Sequence, residues 1–339
     1  MDLGLLEVER RISGRRVLVT GAGGFIGSNL VERLVQAGAK VRAMVRYNAL
    51  SSWGNLDFLP REVLSNVEVL AGNVEDSDYV MSVVESQDIV LHLAALIAIP
   101  YSYVAPRSYI RANVEGTLNV LEAARRHSIA RVVHTSTSEV YGTALRVPID
   151  EDHPLQGQSP YSASKIGADK MAESYWRSFG TQVVTLRPFN TYGPRQSARA
   201  FIPTVISQAL SEQSEIRMGA LDPERDMTFC ADTASGFILA ALADDVAGET
   251  INLGTGHTAS IGTIASRILS LMECTKPLVQ EEARMRPKLS EVMRLVSDNT
   301  KAKQLLGWEP RVKLDDGLLE TISFIRRHGH LYRPSTYTV

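Results

Sequence analysis

Tyr161 and Lys165 stand four residues apart in Tyr161-Ser162-Ala163-Ser164-Lys165. On a helix, positions i and i+4 share a face, so phenol and ammonium point the same way. A free phenol ionises near pH ~10. A neighbouring ammonium, joined by the positive ring of an oxidised nicotinamide, favours phenolate, so this spacing predicts a tyrosine that acts as a base near neutral pH. By itself the pair is common on helix surfaces. Its weight comes from a second motif, Thr20-Gly21-Ala22-Gly23-Gly24-Phe25-Ile26-Gly27. Glycines 21, 24 and 27 allow a tight turn and a close backbone approach to a pyrophosphate seated on a helix N-terminus. The turn follows an apolar run and opens a helical pattern, the context that a dinucleotide site requires.

The elements that must hold these residues are legible as apolar runs of strand length. They lie at Arg16–Thr20, Lys40–Val45, Val67–Leu70, Ile89–Leu93, Arg131–Thr135 and Val183–Arg187. Helical patterns fall between them, among them Phe25–Ala37, Val114–His127 and Ser162–Phe179. Runs apolar throughout, rather than alternating, are expected of strands covered on both faces. The alternation predicts an α/β fold with a doubly wound parallel sheet of the Rossmann type, ligands lying at the carboxyl ends of its strands. From about residue 190, Gly and Pro punctuate shorter helices. This reading makes 1–189 the dinucleotide-binding domain with the catalytic residues. Residues 190–339 become mainly a smaller substrate lobe, with returns of the chain to the main sheet allowed.

The bulk composition excludes several classes. The formal net charge of −2 over 339 residues gives no general drive toward nucleic acid or anionic membrane. Cys230 and Cys274 are the only cysteines, outside any metal-ligand spacing, and the seven histidines are scattered. Neither a disulfide framework nor a metal centre is expected, and a reducing cytoplasm is. The first sixteen residues lack the apolar core of a signal peptide, and the apolar run Ile89–Pro100 is too short to span a bilayer.

The cofactor type turns on the end of the second strand, where an acid usually holds the ribose hydroxyls of NAD. Val41-Arg42-Ala43-Met44-Val45-Arg46 has none, and Arg46 stands about where a 2′-phosphate would lie. NADP is favoured over NAD. The plainer reading of Arg46 as a solvated strand-end charge stays open.

The glycine motif, His92-Leu93-Ala94-Ala95, Asn113, Ser136-Thr137-Ser138-Glu139-Val140-Tyr141-Gly142, the Tyr161/Lys165 pair, Arg187-Pro188-Phe189-Asn190 and Leu305-Leu306-Gly307-Trp308-Glu309-Pro310 come in one order. In that order they resemble the extended short-chain dehydrogenases that process nucleotide sugars. The resemblance covers nearly the whole chain. It implies cofactor contacts from Gly21, Gly24, Phe25, Ile26, Gly27, Arg46, Asn73, Val74, Leu93, Ala94, Ala95, Tyr161, Lys165 and Pro188. It also implies that the equivalent of Asn113 disturbs its helix and orders water near the lysine, and that the chain is a homodimer.

Within that family, C4-epimerases carry a small or neutral residue at the position of Glu139, whereas 4,6-dehydratases need a carboxylate there. Ser138-Glu139 is similar to the pair in GDP-mannose 4,6-dehydratases, so the resemblance implies that Glu139 handles both the C5 proton and the C6 hydroxyl. Thr137 would bond the C4 oxygen beside Tyr161. UDP-glucuronate decarboxylases share Ser-Thr-Ser-Glu-Val-Tyr-Gly and remain an alternative, as do C4-epimerases and, more remotely, a non-catalytic cofactor-binding protein. The stretches around Tyr47–Gly54, Ala95–Tyr103, His153–Pro160 and Gln196–Ala200 resemble the N-acetylglucosamine-nucleotide 4,6-dehydratases of legionaminic-acid biosynthesis. That likeness implies a UDP- or GDP-linked N-acetylglucosamine substrate, with Asn190, Arg225 and Arg294 holding its diphosphate. Arg294 follows the irregular run Arg286-Pro287-Lys288-Leu289-Ser290-Glu291.

Overall fold

The computed structural model describes residues 10–285 and 291–334, so Arg286–Ser290 lie outside the described residues. Seven strands form one parallel sheet: β1 (Arg16–Thr20), β2 (Lys40–Arg46), β3 (Val67–Gly72), β4 (Ile89–His92), β5 (Arg131–Thr135), β6 (Val183–Pro188) and β7 (Thr250–Leu253). Their order is β7-β6-β5-β4-β1-β2-β3. The chain therefore winds one way from β1 to β3 and the other way from β4 to β7, leaving a crevice where the direction switches. Val19, Leu91, Val133, Val184, Leu186 and Ile251 fill one face of the sheet and are 0–4% exposed.

Three helices bear directly on the site. Helix α1 (Phe25–Gln36) follows the glycine turn, and Gly24 at its N-cap offers no side-chain hydrogen bond. Its first N–H groups are therefore left without a side-chain acceptor. The helix after the fourth strand opens as a π-helical turn, Ile110–Glu115, before α2 (Gly116–Arg126). Helix α3 (Pro160–Phe179) starts with reciprocal Ser159–Ser162 capping bonds and Pro160 at its first position. It ends on Gly180 in the left-handed region, at φ +67°. Both ends of the helix carrying Tyr161 and Lys165 are thereby pinned.

The chain beyond Asn190 serves both lobes. Strand β7 pairs in parallel with β6, Ile251 against Leu186. Helix α4 (Cys230–Leu242) and Trp308 join the main core through Phe237, Ile238 and Ala241. Long apolar side chains at these late positions have more surface to bury against the sheet edge than the small lobe offers. A second core gathers the helices Phe201–Ala209, Ile261–Leu271 and Leu314–Arg327. Around them lie short strands, including Asn190–Tyr192 with Met227–Phe229 and the trio Glu224–Arg225, Ala259–Ser260 and Arg294–Leu295.

Candidate active site

The glycine turn is built by backbone pressed on backbone. Gly21 sits at φ +71°, and a Cβ there would lie 2.7 Å from the Ala94 nitrogen. A Cβ on Gly27 would lie 2.3 Å from the Gly21 carbonyl oxygen. The loop Leu93–Ala95 is tied to the same turn: Leu93 N–H donates to the Thr20 carbonyl at 3.1 Å, and Ala94 N–H to the Thr20 hydroxyl at 3.2 Å. This loop begins one residue earlier than the apolar run suggests, because Leu93 already leaves the ladder to wrap Gly21. A cradle that excludes side chains and faces the uncapped start of α1 fits a dinucleotide pyrophosphate.

Arg46 is exposed at the carboxyl end of β2, beside the turn, since Ala22 N–H donates to the Met44 carbonyl. Asn73 follows β3 on the next strand over and is exposed. Val74 is buried against Gly116, and its carbonyl accepts from Asn119. Sequence reasoning missed the loop that packs on the turn from the other side. Asn55 N–H donates to the Gly23 carbonyl, and the Trp53 carbonyl would lie 2.6 Å from a Cβ on Gly23.

At the carboxyl end of β5, Thr137 caps a 3-10 turn, Ser138–Tyr141, by accepting from Glu139 N–H at 3.2 Å. Ser138 is buried beneath the turn, whereas Thr137 and Glu139 are half-buried. Thr137 and Glu139 both lie near enough to the Tyr161 phenol to act on its ionisation, Thr137 favouring the phenolate and Glu139 opposing it. Thr137, Glu139 and Tyr161 thus converge. Tyr109 packs edge-on to the Tyr161 ring, with centroids 6.2 Å apart.

Burial works against the expected phenolate: it raises the Tyr161 pKa above its ordinary value, Thr137 opposes the rise and Glu139 adds to it. Lys165 shares the helix face, and its Nζ donates a hydrogen bond to the Thr135 carbonyl at 2.6 Å. Spacing on the helix aligned the two residues; the strand-end carbonyl seats the ammonium.

Asn113 sits in the π-helical turn, the disturbed helix that the resemblance implied, and its side chain is tied to the loop after β4. Its Oδ1 accepts from Leu96 N–H, and both amide protons are used, by the Leu96 carbonyl and the Ser164 hydroxyl. A directed chain continues from it. The Thr117 hydroxyl donates to the Asn113 carbonyl, so it can only accept from His92 Nε2–H. Buried His92 is held neutral, its pKa well below the usual value, so its Nδ1 accepts from Thr20. The histidine is structural. Asn113→Ala should orphan both polar groups of Leu96 and destabilise the protein by about 1–3 kcal/mol, read by urea unfolding, with weaker cofactor binding from a loosened Leu93–Ala95 loop.

Of the residues expected to hold a diphosphate, Asn190 is half-buried and its Oδ1 has no hydrogen-bond partner, although the atom is buried. A buried carbonyl oxygen of this kind calls for a donor, which a diphosphate does not supply, so only the Nδ2 amide of Asn190 could donate to one. Pro188, just before it, is buried in β6 opposite Leu253. The two arginines part company. Arg294 pairs in register with Glu224 on the neighbouring strand, and their side chains form an exposed ion pair at 2.9 Å. Arg225 follows Glu224 and so points to the opposite face. There it is buried and bonded to Glu291 at 3.1 Å. The two therefore do not face one diphosphate together.

Fold and site together define an enzyme with a dinucleotide-type glycine turn and a tyrosine–lysine helix at one crevice. Residues 18–321 match the family model described as GDP-mannose 4,6 dehydratase. The chain is 32% identical over 323 residues to the dTDP-glucose 4,6-dehydratase of Streptomyces niveus, covering 94% of this chain and 95% of the relative. It is also 32% identical over 316 residues to the UDP-glucose 4-epimerase of Mycolicibacterium smegmatis, covering 92% and 98%. Among solved structures, the epimerase Mth375 of Methanothermobacter thermautotrophicus matches with a TM-score of 0.89 and 29% identity over 98% of each chain. The UDP-glucuronic acid 4-epimerase of Bacillus cereus, in complex with UDP-glucuronic acid and NAD, matches at 0.84 and 28%, covering 92% and 99%. The chain belongs to the GDP-mannose 4,6 dehydratase family, and it is an enzyme of the sugar-nucleotide dehydratase and epimerase group. No described helix is long and apolar enough to cross a membrane, and no described His, Cys, Asp or Glu group could hold a metal.

Proposed function

We propose that the enzyme is a nucleotide-sugar 4,6-dehydratase that converts UDP- or GDP-linked N-acetylglucosamine to the 4-keto-6-deoxy sugar. The observation that carries this reading is the carboxylate of Glu139 beside Thr137 and Tyr161. A bound nicotinamide supplies the acceptor for the C4 hydride and, later, the donor of hydride to C6. Thr137 holds the C4 oxygen, and Tyr161 takes the C4 hydroxyl proton. Burial works against its phenolate, so positive charge brought beside it is what offsets the desolvation. The new ketone acidifies C5; Glu139 takes that proton and protonates the departing C6 hydroxyl as water, and as hydride returns to C6 a proton that exchanges with solvent is added at C5, so overall redox state does not change. Asn190 and the inner arginine, Arg225, would hold the diphosphate, with Arg225 exchanging Glu291 for phosphate oxygens. We assign Arg294 to the rim. The enzyme acts as a cytoplasmic homodimer paired through α2 and α3.

A C4-epimerase is the second reading, because epimerase relatives match as well as dehydratase relatives do. The test incubates the purified protein with UDP- and GDP-N-acetylglucosamine, UDP-glucose and UDP-glucuronate in D2O and follows products by NMR. A 4-keto-6-deoxy sugar with deuterium at C5 supports the dehydratase. A C4-inverted sugar, or release of CO2 from the uronate as a decarboxylase would give, overturns it.

We favour NADP over NAD on Arg46 alone. An arginine on a 2′-phosphate contributes about 1.5–3 kcal/mol. Arg46→Ala should therefore weaken NADP binding about tenfold or more in titration calorimetry and leave NAD binding unchanged. Equal loss for both would make Arg46 a surface charge.

A further inference from the structure

The mechanism above leaves unused a buried carboxylate that accepts four hydrogen bonds. Asp169 lies one helical turn beyond Lys165 and two beyond Tyr161, on the same face of α3. It is 5% exposed. Its Oδ1 accepts from His134 Nε2 at 3.1 Å. Its Oδ2 accepts from Ser136 Oγ at 2.8 Å and from Arg187 Nε and Nη2 at 3.2 and 3.0 Å. Arg187 is itself fixed, because its Nη1 donates to the Tyr141 hydroxyl at 2.9 Å and its guanidinium stacks on that ring. Asp169 and Lys165 thus dock on the same strand end, one on His134 and Ser136, the other on the Thr135 carbonyl between them.

The charged and titratable groups around Lys165 come from three strands or their ends and from its own helix. They are His92 on β4, His134 on β5, Glu139 after β5, Arg187 on β6, and Tyr161 and Asp169 on α3. Both histidines are held neutral by burial. Asp169 is the carboxylate whose charge acts on Lys165.

We propose that Asp169 is a positioning residue: locked by His134, Ser136 and Arg187, it keeps the buried Lys165 ammonium charged and seated on the Thr135 carbonyl. The proposal rests on reading Tyr161 and Lys165 as reaction machinery. Burial pushes the Lys165 pKa down to about 8 even with Asp169 beside it. Asp169, lowered to about 2, stays ionised throughout the working range. A lysine is charged below its pKa, so the ammonium is present at neutral pH and lost as pH rises through about 8. Without the carboxylate, that loss comes at lower pH.

The test measures the alkaline limb of kcat/KM and, independently, the titration of Lys165 by competitive acetylation read by peptide mass spectrometry. Asp169→Asn should move both to lower pH by about one unit or more, the size of a nearby charge effect. Asp169→Glu should restore them. A folded Asp169→Asn protein with an unmoved limb and an unmoved Lys165 titration overturns the proposal. Should that variant not fold, the titration of Lys165 in the unaltered protein decides. In the unaltered protein, Lys165 titrating below pH 7 overturns the proposal with no variant needed. Absence of cofactor binding and turnover in the unaltered protein would instead defeat the reading of the site, while the Lys165 titration still reports on Asp169.

Discussion

Glu139→Gln is expected to oxidise substrate at C4 yet release no water, with turnover to the 6-deoxy product falling roughly 10²–10⁴-fold, the range for loss of a positioned acid–base group. The amide keeps the size of the side chain and the geometry of the 3-10 turn, because Thr137 caps the Glu139 N–H and not its carboxylate. Substrate therefore still binds, and reduced nicotinamide should accumulate in the near-ultraviolet spectrum while C5 fails to exchange in D2O. The variant also removes a negative charge that raises the Tyr161 pKa. The phenolate should form more readily, and the C4 oxidation should be no slower than in the unaltered enzyme. A variant that dehydrates at the normal rate would leave the elimination without its base. One that fails even at C4 would show that Glu139 serves binding.

Gly27→Ala should weaken dinucleotide binding about 100-fold, the cost of roughly 1 Å of misplacement. The added Cβ would stand 2.3 Å from the Gly21 carbonyl and 2.9 Å from the Ala22 Cα, against roughly 3.5 Å for ordinary carbon contact. Both neighbours are backbone, so no side chain can swing aside. Helix α1 must shift away from the turn, taking its N-terminal N–H groups with it. Gly180→Ala is the control: it also alters a glycine, at φ +67°, but a Cβ there meets nothing within 4 Å. Its effect should be confined to a modest loss of helix stability, with cofactor affinity unchanged by fluorescence titration. Equal loss in both variants would mean that the glycines matter only for folding.

The Glu139 and Asp169 expectations share a cause in the way the carboxyl end of β5 organises charge. Glu139, Lys165 and Asp169 all meet residues 134–137 at the carboxyl end of β5. Each has a different neighbour there, which is how two carboxylates and one lysine a few residues apart acquire different tasks. Environment rather than residue type divides the labour.

Read as a string, the chain already determined its strands, the glycine turn and the alignment of Tyr161 with Lys165. Each depends on local spacing: apolar runs for buried strands, a three-residue glycine period for a backbone cradle, and i, i+4 for one helix face. The resemblance in motif order carried the family, and it pointed to Glu139. Only the tertiary structure decided what those residues touch. Lys165 donates a hydrogen bond to the Thr135 carbonyl, Asn113 bonds to Leu96 and Ser164, and Arg225 and Arg294 face opposite ways. A return of the chain to the sheet was allowed by the sequence, but that Thr250–Leu253 makes it was decided by the fold. Such outcomes turn on which groups lose water together, and desolvation is set by residues far apart in the chain. Asp169 sat in view at the same four-residue spacing. It took the strand across from it to show a carboxylate with four donors.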